Sequence, residues 1–214
     1  FHLAAQAYVM PSWKDIEKTF KSNIFGTLYL LEAARKTGVN PIIVAACSSA
    51  EYGLTYDDEV PIKETKEFRP SSPYAISKIG TDMLCYLYSR TYNMKIIRAR
   101  LFNTAGPRKI GNAVADFAEM IAEAEKGKRE FIGVGNLKGV VDITDGRDTV
   151  RALWILAEKG KPGEAYNVCS GRGYTMEYIL KKLIIMSEKK IVLKTDKVKI
   201  RPLEDPVFIG DNSK

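Results

Sequence analysis

Short runs of apolar and β-branched residues alternate along this 214-residue chain with longer stretches whose apolar side chains recur every three or four positions. That alternation constrains the fold more than any other feature. Strands that take turns with amphipathic helices assemble into a parallel sheet with helices on its faces, an α/β architecture. Residues 1–5 read as the end of a strand. Residues 12–37 read as one long helix, with Ile16, Phe20, Ile24, Leu28 and Leu31 on its apolar stripe and Gly38 as its stop. Residues 42–46 form a buried-type strand, 51–69 a charged loop, 72–92 a helix and 95–101 another strand. After Phe102 the texture changes. Residues 103–108 read as a turn-rich joint, followed by a helix at 113–126 and short strands near Phe131 and Val141. A helix at 148–159, a strand at 165–168 and a helix at 178–187 come next. Residues 197–212 read as an extended, proline-punctuated segment.

Composition removes several function classes. Hydrophobic residues make up 45% of the chain, enough for a packed core. No apolar run approaches the roughly 18–20 residues that a membrane span needs, and the start lacks a secretory signal pattern. A soluble, cytoplasmic protein is the expectation. The single histidine, His2, excludes most zinc sites and histidine-based triads. Cys47, Cys85 and Cys169 are too far apart for a metal knuckle or a disulfide framework, and read as buried thiols. The net charge is +7, but its lysines and arginines are mixed with 26 acids rather than gathered into a stripe. That pattern speaks against nucleic acid as the partner.

The residues that can carry chemistry lie near the middle. Tyr74 and Lys78 stand four apart in a helical run, so they project from one face about 6 Å apart. A tyrosine hydroxyl titrates near pH 10, and a neighbouring ammonium group favours its phenolate. Such a pair can move a proton near neutral pH. The bland alternative is an exposed surface pair. The strand at 42–46 runs directly into Cys47-Ser48-Ser49, and hydroxyls at the carboxyl end of a central strand sit where α/β sheets bind ligands. A turn that merely terminates the strand is the alternative there. No glycine-rich turn of the kind that holds a pyrophosphate at a helix N-terminus occurs in the chain. The expectation is therefore a fold whose N-terminal part is missing from this sequence.

Four segments stand in order and at matching spacing: His2-Leu3-Ala4-Ala5-Gln6, Ser48-Ser49-Ala50-Glu51-Tyr52-Gly53, Ser72-Pro73-Tyr74-Ala75-Ile76-Ser77-Lys78, and Leu101-Phe102-Asn103-Thr104-Ala105-Gly106-Pro107. Together they resemble the extended short-chain dehydrogenase/reductase family, whose members act as nucleotide-sugar epimerases, dehydratases and reductases. The C-terminal segments Val134–Leu137, Asp142–Asp148, Tyr166–Gly171 and Ile200–Pro206 are similar to its GDP-mannose branch, the 4,6-dehydratases and the 4-keto-6-deoxymannose reductases.

The resemblance implies a Rossmann-type doubly wound parallel sheet with a smaller substrate domain. Residues 1–104 and about 146–170 would belong to the nucleotide-binding part. Residues 105–145 and 171–214 would belong to the nucleotide-sugar part. It implies NADP or NAD as cofactor, a GDP-hexose as substrate, and a homodimer or homotetramer formed through the two long helices. Ser48, Tyr74 and Lys78 correspond to the catalytic hydroxyl, the acid/base and the lysine that also holds the nicotinamide ribose. Leu3, Ala4, Ala5 and Leu101 correspond to cofactor contacts. Ser49, Asn103, Arg108, Arg201 and Glu204 correspond to substrate contacts. Asn23 is grouped with them as the family's helix asparagine near the catalytic lysine. A polar residue bonding a neighbouring loop is the alternative for Asn23.

Within that family a 4,6-dehydratase needs a carboxylate three residues before the glycine of Tyr-Gly. Here that position is Ala50, which cannot move a proton. Glu51 is adjacent, and neighbouring residues on a strand face opposite ways. This favours reduction of a C4 keto group. A dehydratase, a 4-epimerase, and a non-catalytic nucleotide-sugar-binding fragment are the alternatives. Two departures from the branch pattern stand out: Val141 where arginine is usual, with Lys138 or Arg108 as replacement phosphate contacts, and Gln6-Ala7 where Gln-Ser is usual.

Overall fold

The structure, a computed structural model, describes residues 1–196 and 207–214. Its centre is a parallel sheet of β1 (Ile43–Ser48), β2 (Ile96–Leu101) and β6 (Ala165–Val168) in the order β1-β2-β6. The first residues extend it. His2 pairs in parallel with Ala45, donating to the Val44 carbonyl at 2.9 Å and accepting from Ala46 N–H at 3.0 Å. Both faces of the sheet are covered by helices, and apolar side chains fill most of each face. Ile43, Ala45 and Ile96 pack toward α3 (Gly26–Lys36) and α4 (Pro73–Tyr92) with Leu31, Cys85 and Tyr88. Val44, Ile97 and Ala99 pack on the other face with Leu153 of α6 (Gly146–Lys159). Successive strand residues thus bury opposite faces under different helices, the doubly wound arrangement expected from the sequence.

A second set of elements lies beyond Phe102. β3 (Asn103–Ala105) pairs in parallel with β5 (Val140–Asp145), which also pairs with β7 (Gly173–Thr175) and β9 (Val207–Phe208). β4 (Ile132–Val134) pairs with β8 (Leu193–Thr195), and α5 (Ala113–Glu125) packs with α7 (Met176–Ile185) around Phe117, Ile121, Ile132 and Leu180. Residues 103–105 are therefore a strand, not part of a turn, because β5 offers them a ladder partner distant in sequence. Asp142 fastens the region. Fully buried, it accepts from Ser170 N–H and Oγ–H at 2.9 and 2.6 Å and from Gly171 N–H at 2.9 Å.

The expected helix over 12–37 is broken. The chain forms α1 (Val9–Lys14), α2 (Ile16–Phe20), a π-helical stretch (Lys21–Phe25) and then α3. Asp15, at φ −148° and ψ 84°, ends α1, and its carboxylate caps α2 by accepting from Lys18 N–H at 2.8 Å. Apolar periodicity does not report such a break, because a capped kink and a π-bulge alter the rotation of the stripe by less than its own width. Ile16, expected on the apolar stripe, is exposed.

Candidate active site

Three chain segments end side by side at the carboxyl edge of the sheet: residues 3–5, Ser48 at the end of β1, and Leu101 at the end of β2. Ligands bind at this edge in open α/β sheets. Helix α4 starts beside it. Ser72 caps the helix by accepting from Ala75 N–H at 3.1 Å, and Pro73 occupies the first turn, where its missing N–H costs nothing. Ser12 of α1, fully buried, accepts from Tyr74 N–H at 3.1 Å while donating to Val9 O at 2.6 Å. A helix that nothing in the local pattern ties to α4 therefore orients the first turn bearing Tyr74.

The Tyr74–Lys78 pair is no surface pair, since both side chains are buried. Their electrostatics differ from the expectation. Burial pushes the Tyr74 hydroxyl up to about 12, against a smaller opposing effect of its hydrogen bond with Ser48. The Lys78 ammonium does not offset that rise, and it donates to the Ala46 carbonyl at 2.8 Å near the end of β1. Burial also lowers the Lys78 pKa. Tyr74 accordingly holds its proton at neutral pH, and the site offers an acid beside Ser48.

Ser48 ends β1 in extended conformation and caps a short 3₁₀ turn, Ser49–Glu51, so the strand does not continue past it. Its Oγ accepts from Ala50 N–H at 3.2 Å, and its own N–H donates to Glu51 at 2.7 Å. One lone pair of the hydroxyl is thus taken internally, which leaves its proton for the Tyr74 side or for a ligand. Glu51 has no exposure at all, so the carboxylate next to Ala50 faces the protein interior and not the sheet edge. The strand argument about alternating faces does not apply to a 3₁₀ turn, but its outcome holds for another reason: the carboxyl is sealed. Gly53 closes the segment at φ +57°. A Cβ there would stand 1.7 Å from the Arg69 carbonyl, which the Leu54 N–H needs as its acceptor at 3.0 Å. Only glycine fits.

Asn23 is turned into the protein interior. It is buried, and its amide is fully used: Oδ1 accepts from Gln6 N–H at 2.7 Å, and Nδ2 donates to Gln6 O at 3.0 Å and to Ser77 Oγ at 2.9 Å. It ties the loop after residues 3–5 to helix α4, and the π-helical stretch turns it inward. Thr27 Oγ–H donates to Asn23 O at 2.6 Å, so at 2.9 Å its oxygen accepts from His2 Nε2–H. Burial and the Lys78 charge lower the His2 pKa.

Leu3 and Ala4 are exposed and Ala5 and Leu101 half-buried, Ser49 is buried, and Asn103 and Arg108 are exposed, Arg108 at φ +66°. Arg201 and Glu204 lie outside the described residues. Sequence reasoning missed the ionic floor of the site. Asp82 of α4, with no exposure, accepts from Arg98 Nη1 at 2.6 Å and from Arg100 Nε at 3.0 Å. Arg100 also donates to Tyr52 Oη at 3.0 Å, and Tyr52 donates to Asn167 Oδ1 at 2.7 Å. The only signal available in sequence was a pair of arginines in an otherwise apolar strand, charges that are rarely buried unless paired. Cys47, Glu51 and Asp82 place one potential ligand atom each within 4.8 Å of one another. The two arginines on Asp82 already supply the positive charge there, so the donor set does not suit a cation.

The chain is similar to known proteins along its whole length. The family model described as GDP-mannose 4,6 dehydratase matches residues 1–214. The GDP-6-deoxy-D-mannose reductase of Pseudomonas aeruginosa is 29% identical over 100% of this chain and 71% of its own. The GDP-mannose 4,6-dehydratase of Sinorhizobium fredii is likewise 29% identical over 100% of this chain, and 66% of its own. The chain thus spans about two thirds of that relative's length. The solved structure of RMD from Pseudomonas aeruginosa complexed with NADPH superposes with a TM-score of 0.92 at 29% identity, covering 99% of this chain and 71% of that one. A match along the whole chain, with the tyrosine, lysine and serine gathered at one sheet edge, places it in a family: the chain belongs to the GDP-mannose 4,6 dehydratase family.

Proposed function

We propose that the protein reduces the C4 keto group of a GDP-4-keto-6-deoxyhexose with NADPH or NADH. The observation that carries this reading is the buried Tyr74 side chain beside Ser48, its hydroxyl pushed up to about 12 by burial, together with a position 50 that has no carboxylate. Reduction needs one proton donor at the carbonyl oxygen. Dehydration additionally needs a base for the C5 proton and an acid at C6, and Glu51, the nearest candidate, is enclosed. The relatives of known name support the substrate class and the cofactor.

The residues at the sheet edge suit the nicotinamide end of such a cofactor. Leu3, Ala4 and Ala5 present small and apolar side chains beside Ser48, with Lys78, Tyr74 and Leu101 around them. When bound, the nicotinamide supplies the hydride. Tyr74 donates its proton to the C4 oxygen, and the Ser48 hydroxyl holds that oxygen with a hydrogen bond. Ser49, Asn103 and Arg108 are assigned to the nucleotide-sugar side, and so are Arg201 and Glu204. Residues 1–104 and about 146–170 serve as the nucleotide-binding part, and 105–145 with 171–214 as the substrate part.

The test is a product assay with the protein as encoded. NAD(P)H oxidation that requires GDP-4-keto-6-deoxymannose is the expected result. Formation of that keto sugar from GDP-mannose without net cofactor consumption would show a dehydratase instead.

The same reading assigns the exposed apolar stripe on the long helices to a second copy of the chain. Ile76, Met83 and Leu87 of α4 are exposed at helical spacing, and Phe25 and Tyr29 of the preceding helical run are exposed too. Sedimentation is expected to show a dimer that Met83→Glu shifts toward monomer. A wild-type protein that sediments as a monomer at micromolar concentration rejects that surface. Among the described residues no helix is long and apolar enough to cross a membrane.

A further inference from the structure

We propose that Glu51 is a positioning residue: its carboxyl, sealed beneath the site, holds the Ser48 backbone so that the serine hydroxyl faces Tyr74. The kinetic arm of this inference rests on the nucleotide-sugar reading above. Its spectroscopic arm does not.

The bonds around Glu51 form a reciprocal cap. Ser48 N–H donates to Glu51 Oε1 at 2.7 Å, while Ser48 Oγ accepts from Ala50 N–H at 3.2 Å. Together they fix the φ and ψ of Ser48 and the direction of its hydroxyl. The second carboxyl oxygen, Oε2, is buried and makes no hydrogen bond. Arg100 Nε lies 3.5 Å from it, but already donates to Asp82 Oδ2 at 3.0 Å. An ionised carboxylate with one oxygen unpaired in a closed interior is costly. A neutral carboxyl costs less, since it carries no charge and its Oε1 already accepts from Ser48 N–H.

The surrounding charges agree. Asp82 and Lys78 face Glu51 from α4, Arg100 from β2 and Cys47 from β1, with Tyr52 and Tyr74 also near. Burial raises the Glu51 pKa well above its ordinary value. The Asp82 charge adds to that, and Arg100, the Ser48 bond and Lys78 only partly oppose it. Asp82, held by two arginines, keeps the negative charge of the cluster. Glu51 therefore acts through shape and one acceptor atom, which a glutamine amide can reproduce and an alanine cannot.

The experiment compares Glu51→Gln with Glu51→Ala. Turnover of the keto sugar by Glu51→Gln is expected to stay close to wild type. Glu51→Ala is expected to lower kcat about tenfold or more, the scale of a misplaced reacting group, with KM for the nucleotide sugar unchanged. In the amide proton spectrum the Ser48 N–H should keep its downfield position in Glu51→Gln and lose it in Glu51→Ala. The pH dependence of stability has a definite sign. A group whose folded pKa is raised stabilises the fold only below its ordinary value, near 4.5 here, and that contribution declines as pH rises. Glu51→Gln should therefore gain in melting temperature over wild type as pH rises above that value.

Wild-type kcat in Glu51→Ala, or loss of activity in Glu51→Gln equal to that in Glu51→Ala, overturns the inference. So does a Ser48 amide resonance that neither variant moves. If wild type turns over no nucleotide sugar, the functional reading fails, and the amide resonance still decides the role of Glu51. If Glu51→Ala does not fold, Glu51→Gln decides alone: a displaced Ser48 amide or a lower melting temperature than wild type at neutral pH overturns the proposal.

Discussion

Replacing Tyr74 by phenylalanine is expected to lower kcat about a hundredfold or more, the usual scale for loss of a general acid. That factor corresponds to roughly 2.7 kcal/mol of transition-state stabilisation. The substitution is well suited to the question, because phenylalanine keeps the buried ring and removes only the hydroxyl and its bond with Ser48. KM for the nucleotide sugar should change little, since the lost interaction develops as the carbonyl oxygen takes its proton. The hydroxyl, pushed up to about 12 by burial, remains protonated through the whole range of ordinary assays. The reductive rate of wild type should therefore show no decline from this group between about pH 7 and pH 10, where an unperturbed tyrosine would already titrate. Steady-state kinetics of both proteins across that range provide the check. Near-normal turnover in Tyr74→Phe would move the proton transfer to another residue.

The largest effect on stability is expected from Asp82→Ala. Removing the carboxylate leaves Arg98 and Arg100 buried without the partner that takes bonds of 2.6 and 3.0 Å from them. Breaking a buried pair by deleting one side typically costs about 3–5 kcal/mol, a large part of the roughly 5–15 kcal/mol that holds a domain together. Burial by itself would raise the Asp82 pKa. The bonds and charges of Arg100, with Arg98, outweigh it and hold the carboxyl below its ordinary value near 3.8. The sign of the linkage follows. With a depressed folded pKa, the contribution of Asp82 is fully present above that ordinary value and is lost as pH falls through the folded one. Urea unfolding at pH 7 and at about pH 3 measures both claims, and the gap between wild type and Asp82→Asn should narrow at the lower pH. A loss under about 1 kcal/mol at pH 7, the scale of an exposed pair, would mean that water reaches the arginines.

The two residues show where reading a chain succeeds and where it stops. Tyr74 was legible because a helix turns both it and Lys78 to one side, a consequence of 3.6 residues per turn that needs no tertiary information. Ser48 was legible because an apolar strand ends at it. Asp82 was not, although it lies on the same helix four residues after Lys78. Its partners come from β2, 16 and 18 residues on, and pairing across that distance leaves no periodic trace. Asn23 was read as a possible substrate contact for the same reason. Its inward direction is set by a π-helical stretch and by Gln6, 17 residues earlier.

What the sequence by itself determined is local and periodic: the alternation of strands and helices, the strand end at Ser48, the shared face of Tyr74 and Lys78, and the absence of a carboxylate at position 50. These follow from backbone geometry, which each short segment carries within itself. Only the tertiary structure decided the electrostatics. It turned Lys78 to the Ala46 carbonyl, left Tyr74 protonated by burying it, broke the first long helix at Asp15, and enclosed Glu51 beneath Ser48. Burial and long-range pairing set each of these, because the free energy of a charge or a proton depends on every group that surrounds it in space, and most of those groups are distant along the chain.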